Sequence, residues 1–470
     1  MNGGSMTTLS RITMAAVAAL IVGGMGPAKA ADLGGNCCAD LEERVAELEA
    51  TTVRKGNRKV SVTISGQISQ ELMYWDDGIQ DDLYIVGPAQ SNSRWRITGS
   101  AKISPEITAG FLYEFEAFSS GSTSVTQANG AGPSNGHGSP NDQGDDGGST
   151  AANLREAMAW VEHSRLGRVS LGQGSSAANN VILVDLSGKG MGASNDVRLM
   201  NSGFRVRDNS GGTFAAGGRG VRTWANFFQG GQDWLNERNE HIQYRTPTIA
   251  GFTLGASFGE DNYWDAALRY AGEFNGIRIA GAIGYSVRSE YNATNRYSVN
   301  AGTGALEQNA GPGGYGCTVN CDKEVRQLAG SLSIRHMPTG LFFTGAAGTR
   351  DNEDFQTVSA AGAVSGPRSF DSDFYYVSGG VARNFFGIGD TVLFGEYSEW
   401  SGMGKEYLSG TGSVGNSTVE HWGIGIVQHV DAAAMEFWLT YKSYSLDAPD
   451  FCVGGCKDLD YVLAGTRIRF

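Results

Sequence analysis

The residues that could do chemistry here are charged side chains set at every second position. Over 93–103, Arg94, Arg96, Thr98, Ser100 and Lys102 alternate with Trp95, Ile97, Gly99, Ala101 and Ile103. Over 107–116, Glu114 and Glu116 oppose Ile107, Ala109, Phe111, Tyr113 and Phe115, and over 277–287 Arg278 opposes Ile277, Ile279, Ile283 and Tyr285. The last ten residues, YVLAGTRIRF, put Phe470, Ile468, Thr466, Ala464 and Val462 on one face; Arg469, Arg467 and Gly465 lie on the other, with Leu463 and Tyr461 above them. Such alternation is a strand with one apolar and one polar side. Cations and carboxylates on the polar side can orient ions and polar solutes, but they break no covalent bond. Two further acids, Asp185 and Asp196, stand beside the apolar run at 181–184.

Motifs for covalent or metal chemistry are missing. GQGSSA at 172–177 is Gly-rich but lies in no strand-then-helix unit. There is no G-x-S-x-G, and the six His show no H-E-x-x-H spacing. DQGDDGG at 142–148 gathers carboxylates in a turn-rich stretch, as a Ca²⁺ loop does, and equally as a solvated loop does. The expectation is no enzyme, no metal and no cofactor.

The bulk composition narrows the elements that must position these charges. The chain has 69 Gly but 10 Pro and 10% aromatics, which suits an all-β protein with many turns and close strand contacts. Mean hydropathy is −0.24; a membrane β-barrel averages out near neutral because only alternate residues face lipid. Arg11 precedes an apolar run at 12–26, and Ala28-Lys29-Ala30 is an A-x-A cleavage site, so 1–30 reads as a secretory signal peptide. Without Arg11 and Lys29 the balance is 34 basic to 49 acidic residues, a charge of −15. The basic residues are scattered along strands rather than gathered in a patch, which argues against nucleic acid.

Six Cys fall as three close pairs. Cys317/Cys321 and Cys452/Cys456 sit in Gly-containing loops and read as local disulfides in an oxidising compartment. Neither pair has the neighbours that a zinc site needs. For the adjacent Cys37 and Cys38 the pairing is open, an intermolecular bond included.

Connections between strands alternate in length. Short ones fall at 104–106, 165–167, 246–248, 273–276, 337–340, 386–390 and 431–433. Long ones fall at about 76–92, 119–153, 175–237, 289–324, 351–371, 401–417 and 446–458, with a short one at 260–263 where a long one is due. That counts to sixteen strands with tight turns at one rim and long loops at the other, the pattern of an up-and-down membrane barrel. VRTWANFF at 221–228 could be another strand but is placed inside the 175–237 connection. Trp75, Trp95, Trp264, Trp400, Trp422 and Trp438 lie in strands or at their ends, where some would join the interfacial girdles and others pack in the lumen. Ahead of the barrel, at 40–52, Leu41, Val45, Leu48 and Thr52 make a short heptad stripe. It forms either a three-copy coiled coil, or a helix docked on the turns or plugging the lumen. The division is therefore 1–30 signal peptide, 31–58 periplasmic segment with a short helix, and 59–470 barrel.

The stretch CADLEERVAELEATTVRKGNRKVSVTISGQISQELMYWDDG at 38–78 resembles the start of alphaproteobacterial general porins. NEHIQYRTPTIAGFTLGASF at 239–258 and the terminal Phe470 are also similar to porin patterns. The resemblance implies an all-β fold: a sixteen-stranded antiparallel transmembrane β-barrel, preceded by a short N-terminal helix, in the outer membrane. It implies a homotrimer with a water-filled pore in each subunit and a third external loop, here 175–237, folded inward. It further implies Phe470 as the signal for the barrel assembly machinery, and outer-membrane lipid, lipopolysaccharide and small hydrophilic solutes as partners. No P-E-F-G-G motif is present in that loop. Other classes for such a barrel are a substrate-specific channel and a non-conducting structural or adhesive barrel. Two arrangements of the pore charges are open. Arg94, Arg96, Lys102, Arg467 and Arg469 could face Asp185 and Asp196 across the lumen, or the arginines could pair with Glu114 and Glu116 on the adjacent strand.

Overall fold

The computed structural model describes residues 59–117, 121–123, 125–127, 153–197, 203–209, 223–228, 234–235, 238–260, 262–289, 297–299, 306–308, 324–355, 368–402, 417–449, 451–452 and 454–470. The expected signal peptide, the heptad stripe at 40–52, Cys37, Cys38, Cys317 and Cys321 lie outside these residues.

One antiparallel sheet carries the wall. Its strands are β1 (Ser61–Asp76), β2 (Arg94–Lys102), β3 (Ile107–Glu116), β4 (Asn153–His163), β5 (Gly167–Ser175), β6 (Arg238–Arg245), β7 (Phe252–Gly259) and β8 (Trp264–Phe274). They continue as β9 (Ile277–Arg288), β10 (Glu324–His336), β11 (Leu341–Phe355), β12 (Arg368–Arg383), β13 (Thr391–Ser401), β14 (Thr418–Val430), β15 (Met435–Asp447) and β16 (Leu459–Arg469). Each pairs with its sequence neighbour, and β16 returns to β1 from Gln67↔Arg469 to Asp76↔Asp460. The sheet is a closed sixteen-stranded barrel without a free edge, the form that leaves no strand unpaired in lipid. At the seam Phe470 continues the ladder, its N–H donating to the Gly66 carbonyl at 3.0 Å and Gly66 N–H donating back at 2.8 Å.

Alternation sets which face is which. On β11, Leu341 and Phe343 are 58% and 49% exposed, while Phe342 and Thr344 between and beyond them are 6% and 0% exposed. The exposed apolar set faces outward around the wall, as expected for Trp95, Ile283, Ile468 and Phe470. The core therefore lies inside the barrel. Inward Trp75, Trp400, Tyr444 and Tyr461 pack with Phe204, Trp224, Phe228 and Trp234 from the 175–237 connection. Of the six tryptophans expected at the strands, Trp95, Trp264 and Trp422 are exposed, whereas Trp75, Trp400 and Trp438 are buried inward.

The expected loop at 76–92 is corrected. Asp81–Val86 is part of the wall, pairing with the far half of β1 from Asp76↔Asp81 to Glu71↔Val86. β2 occupies the same wall position beside the near half, from Gln67↔Arg94 to Ser61↔Ser100. The connection to β1 is only 77–80, and residues 87–93 leave the wall between the two halves. Inward side chains of β1 account for this: Gln67 Nε2 donates to Ser91 O at 3.1 Å and Asn92 O at 2.9 Å, and Ser69 Oγ donates to Ser91 O at 2.8 Å. Residues 225–228, in the possible extra strand, form a short helix that is no part of the wall, with Phe228 packed inside the barrel.

The turn between β8 and β9 illustrates how the tight rim is encoded. Asn275 and Gly276 have φ of 49° and 76°, a type I′ pair that matches the twist of the flanking strands. Gly276→Val should cost about 1–2 kcal/mol, because a branched side chain is strained at this left-handed φ. It reads out as a lower midpoint when the detergent-held barrel unfolds in urea; an unchanged midpoint would contradict this turn geometry.

Candidate functional site

The lumen is the site, and the inward charges are its working parts. On β2 to β4 they form one closed cluster. Arg94 lies 3.2 Å from Glu114 Oε1, Arg96 Nε donates to Glu114 Oε2 at 2.9 Å, and Arg155 Nε donates to Glu114 Oε1 at 2.9 Å. Arg155 also pairs with Glu116, which accepts from Asn92 Nδ2 at 3.1 Å. Glu114 is buried, so three guanidiniums around it satisfy a carboxylate that would otherwise be costly to desolvate. Of the two arrangements open in the sequence, the cross-strand pairing is the one found at Arg94 and Arg96. Arg155 belongs to the same cluster and shares its face with Glu156 of β4 only through a register irregularity opposite Glu114 and Phe115.

The last strand behaves in the same way. Arg467 lies 2.7 Å and Arg469 3.4 Å from Glu436 on β15, and Arg467 also donates to Ser91 Oγ at 3.2 Å. Residues 87–93 thus bridge the arginines of β2 and β16. Arg278 pairs with Glu273 at 2.6 Å beside the β8–β9 turn, and Lys102 is exposed at the end of β2.

The 176–197 segment contacts inward side chains across several strands. Ala177 N donates to Ser257 Oγ at 2.7 Å and Ala178 N to Asp265 Oδ2 at 2.8 Å. Val184 N and Leu186 N donate to Ser331 Oγ and Ser333 Oγ at 3.1 and 2.9 Å. From the opposite side Gln90 Nε2 donates to Gly190 O at 2.6 Å and Ala193 O at 3.0 Å. Val181 and Ile182 are buried, as their apolar run suggests.

Asp185 does not stand across open water from the β2 arginines. It accepts from Lys189 Nζ at 2.8 Å, Ser187 Oγ at 2.7 Å and Thr344 Oγ1 at 3.1 Å. Burial alone would raise its carboxyl, but Lys189 and Ser187 outweigh it and hold the group below the usual carboxylate range. Asp196 is fully buried. Of the two arrangements left open, the local one is thus found at Asp185 as well: its charge is met within its own segment and by Thr344.

Further inward charges line the other flank. Arg168 on β5, Arg245 on β6 and Arg269 on β8 border a cavity of about 830 Å³ with Ser61, Thr98, Ser100, Glu156 and Glu162. Arg168 Nε donates to Glu162 Oε2 at 2.8 Å, its guanidinium lies 4.1 Å from the Trp160 ring centre, and Arg245 is its register partner on β6. Arg269 Nη2 donates to Ala177 O at 3.2 Å. The signal was present in RVSL, HIQYR and ALRY, where each arginine alternates with exposed apolar residues. What one strand does not reveal is that register sets Arg168 opposite Arg245. Among the described residues no group of His, Cys, Asp and Glu has metal-site geometry. Cys452 and Cys456 form the expected disulfide, with Cα atoms 5.1 Å apart.

The family profile described as Gram-negative porin matches residues 15–448. A search of curated protein sequences returns no match. Similar solved structures include an anion-selective porin from Comamonas acidovorans, 14% identical over 87% of this chain and 100% of that one, with a TM-score of 0.49. Outer-membrane expressed OmpT of Vibrio cholerae is 12% identical over 88% and 99%, with a TM-score of 0.48. The outer-membrane channel DcaP of Acinetobacter baumannii is 10% identical over 88% and 99%, with a TM-score of 0.47. The profile match runs through the strands of the closed wall almost from end to end: the chain belongs to the Gram-negative porin family and is a channel-forming barrel of the bacterial outer membrane.

Proposed function

We propose that small hydrophilic solutes and ions diffuse passively through a polar lane between the 176–197 segment and the wall of β2 to β8. The observation that carries this is the cavity of about 830 Å³ bordered by Ser61, Thr98, Ser100, Arg168 and Arg245. Pore size and lining charge then decide what passes, with no energy source or cofactor. The 175–237 connection acts as the inward-folded third external loop, a reading supported by its bonds to inward Ser257, Asp265, Ser331 and Ser333. Lane selectivity comes from Arg168, Arg245 and Arg269 against Glu156 and Glu162, while the Glu114 and Glu436 clusters contribute a weaker, largely neutralised field.

The assembly proposed is a homotrimer in the alphaproteobacterial branch, supported by family membership and by the resemblance at 38–78 and 239–258. The short-turn rim faces the periplasm. Residues 1–30 are removed on export, 31–58 form a periplasmic segment, and Phe470 is read by the assembly machinery. Lipid and lipopolysaccharide surround the outward apolar set.

Detergent-extracted protein in a planar bilayer under a KCl gradient should conduct in steps of three. Silence from protein whose gel mobility shifts on heating, as a folded barrel's does, would sink the diffusion-channel reading and favour a plugged or adhesive barrel. A second expectation concerns the Glu114 cluster. Removing one partner of a buried ion pair costs about 3–5 kcal/mol, so Glu114→Gln, which keeps the hydrogen-bonding shape, is the milder change. It should move the reversal potential toward anions by on the order of 10 mV under an about tenfold gradient. An unchanged potential in the folded variant would place the cluster outside the conduction path.

A further inference from the structure

The aromatic rings that fill one flank of the lumen sit beside the seam between β1 and β16. Phe204 lies 5.1 Å from Trp75 and 5.4 Å from Tyr461, ring centre to ring centre. Trp224 and Phe228 meet Tyr444 at 6.3 and 5.5 Å. Trp224 N donates to Phe204 O at 2.9 Å, so the two stretches form one wedge. Phe204, Trp224 and Phe228 are all buried, so their apolar rings hold them against the wall rather than in water.

Two external connections hold this wedge. On one side Arg207 reaches Asp77 and donates through Nη2 to Gln80 Oε1 at 2.6 Å, in the 77–80 turn. On the other, residues 207–209 run antiparallel to residues of the last connection. Lys457 N donates to Arg207 O at 2.9 Å, Asn209 N to Gly455 O at 3.0 Å and Asn209 Nδ2 to Gly454 O at 3.2 Å. Asp208 bridges Cys456, and the Phe451 ring lies 5.2 Å from Phe227. The backbone that receives the wedge is therefore the turn closed by Cys452 and Cys456. Gly454 and Gly455, with φ of 78° and 92°, lie inside that turn. Such a glycine pair loses much freedom on ordering, and a disulfide across it removes part of that freedom in advance.

We propose that the Cys452–Cys456 turn is a positioning strap that sets the width of the solute lane. It touches no solute. By pinning 207–209 it keeps Phe204, Trp224 and Phe228 against the β13–β16 and β1 wall, away from the polar flank that carries Arg168 and Arg245. The inference rests on the diffusion-channel reading and adds its size-determining part.

The test compares single-channel steps and the size cut-off for neutral sugars in liposome swelling. It uses wild type, Cys452→Ser/Cys456→Ser and, as a control, Cys317→Ser/Cys321→Ser. If the first variant does not fold, the folded wild-type channel is instead reduced in the bilayer by a membrane-impermeant dithiol. The dithiol is oxidised to its cyclic disulfide while the Cys452–Cys456 bond takes up two electrons and two protons to give two thiols. Loss of the bond should lower the step by at least about 1.5-fold and lower the sugar cut-off, because the released wedge moves toward the lane and conductance follows the open cross-section; the control variant stays at the wild-type values. Equal steps and equal cut-off with and without the bond would overturn the strap while leaving the channel reading in place. Silence from both would overturn the strap and the channel reading together. A larger step on loss of the bond, or a silent oxidised protein that conducts once reduced, would overturn the strap, because the wedge would then obstruct the lane while the bond is intact.

Discussion

Everything in this molecule depends on the pairing of its first strand with its last. A spanning sheet in hydrocarbon cannot leave a row of backbone N–H and C=O groups unpaired, since each costs several kcal/mol there. The β1–β16 ladder from Gln67↔Arg469 to Asp76↔Asp460 removes that edge, and the reciprocal bonds between Phe470 and Gly66 extend it to the rim. Closure then fixes an inside and an outside for every strand, so that a single period of two decides both lipid contact and lumen chemistry. It also brings the two ends of the sequence together: arginines of β2 and β16 both reach Ser91, Arg94 through Nη2 at 2.9 Å and Arg467 at 3.2 Å.

A sixteen-stranded wall encloses more space than its own side chains can fill. Two solutions share the lumen here. Near the seam, aromatic residues of the long connection pack against inward Trp75, Tyr444 and Tyr461 and make the main apolar core. On β2 to β8 many inward side chains are charged or hydroxylic, with Leu112, Met158 and Trp160 among them, and they border the cavity of about 830 Å³. The 176–197 segment runs between the two, tied to the wall through buried serines and Asp265, and to residues 87–93 through Gln90. The buried polar residues Ser257, Ser331 and Ser333 answer backbone donors of a segment that has no ladder of its own.

Most of the wall was legible because alternation is a local property. Strand count, short-turn positions, the exposed faces of 93–103 and 277–287 and the Cys452–Cys456 bond follow from residue types and spacing. Two things were not. The split second wall position is invisible because GPAQSNS at 87–93 is loop-like in composition and its anchors, Gln67 and Ser69, lie on another strand. The inward tryptophans Trp75, Trp400 and Trp438 carry the same letters as the outward Trp95, Trp264 and Trp422; only parity within a correctly bounded strand separates them. Asp185 shows the same gap for charge. Its acid is plain in the sequence, but its partner Lys189 is four residues on, in a loop whose shape the sequence leaves open.

Charge placement within the lumen follows from how a carboxylate survives partial burial. An isolated arginine sector facing an isolated acidic loop would leave both desolvated at the narrowest place, each without a partner at contact distance. Glu114 instead gathers Arg94, Arg96 and Arg155, and Glu436 gathers Arg467 and Arg469, so the strands nearest the seam are locally compensated. Arg168 and Arg245 stand in register on β5 and β6, with Glu162 bound to the first of them. Like charges that close are tolerated where water screens them, which is the condition on the cavity side and not on the aromatic side. The flank that sets two arginines in register is thus the flank that keeps the cavity, and the apolar wedge occupies the flank where charge has already been cancelled.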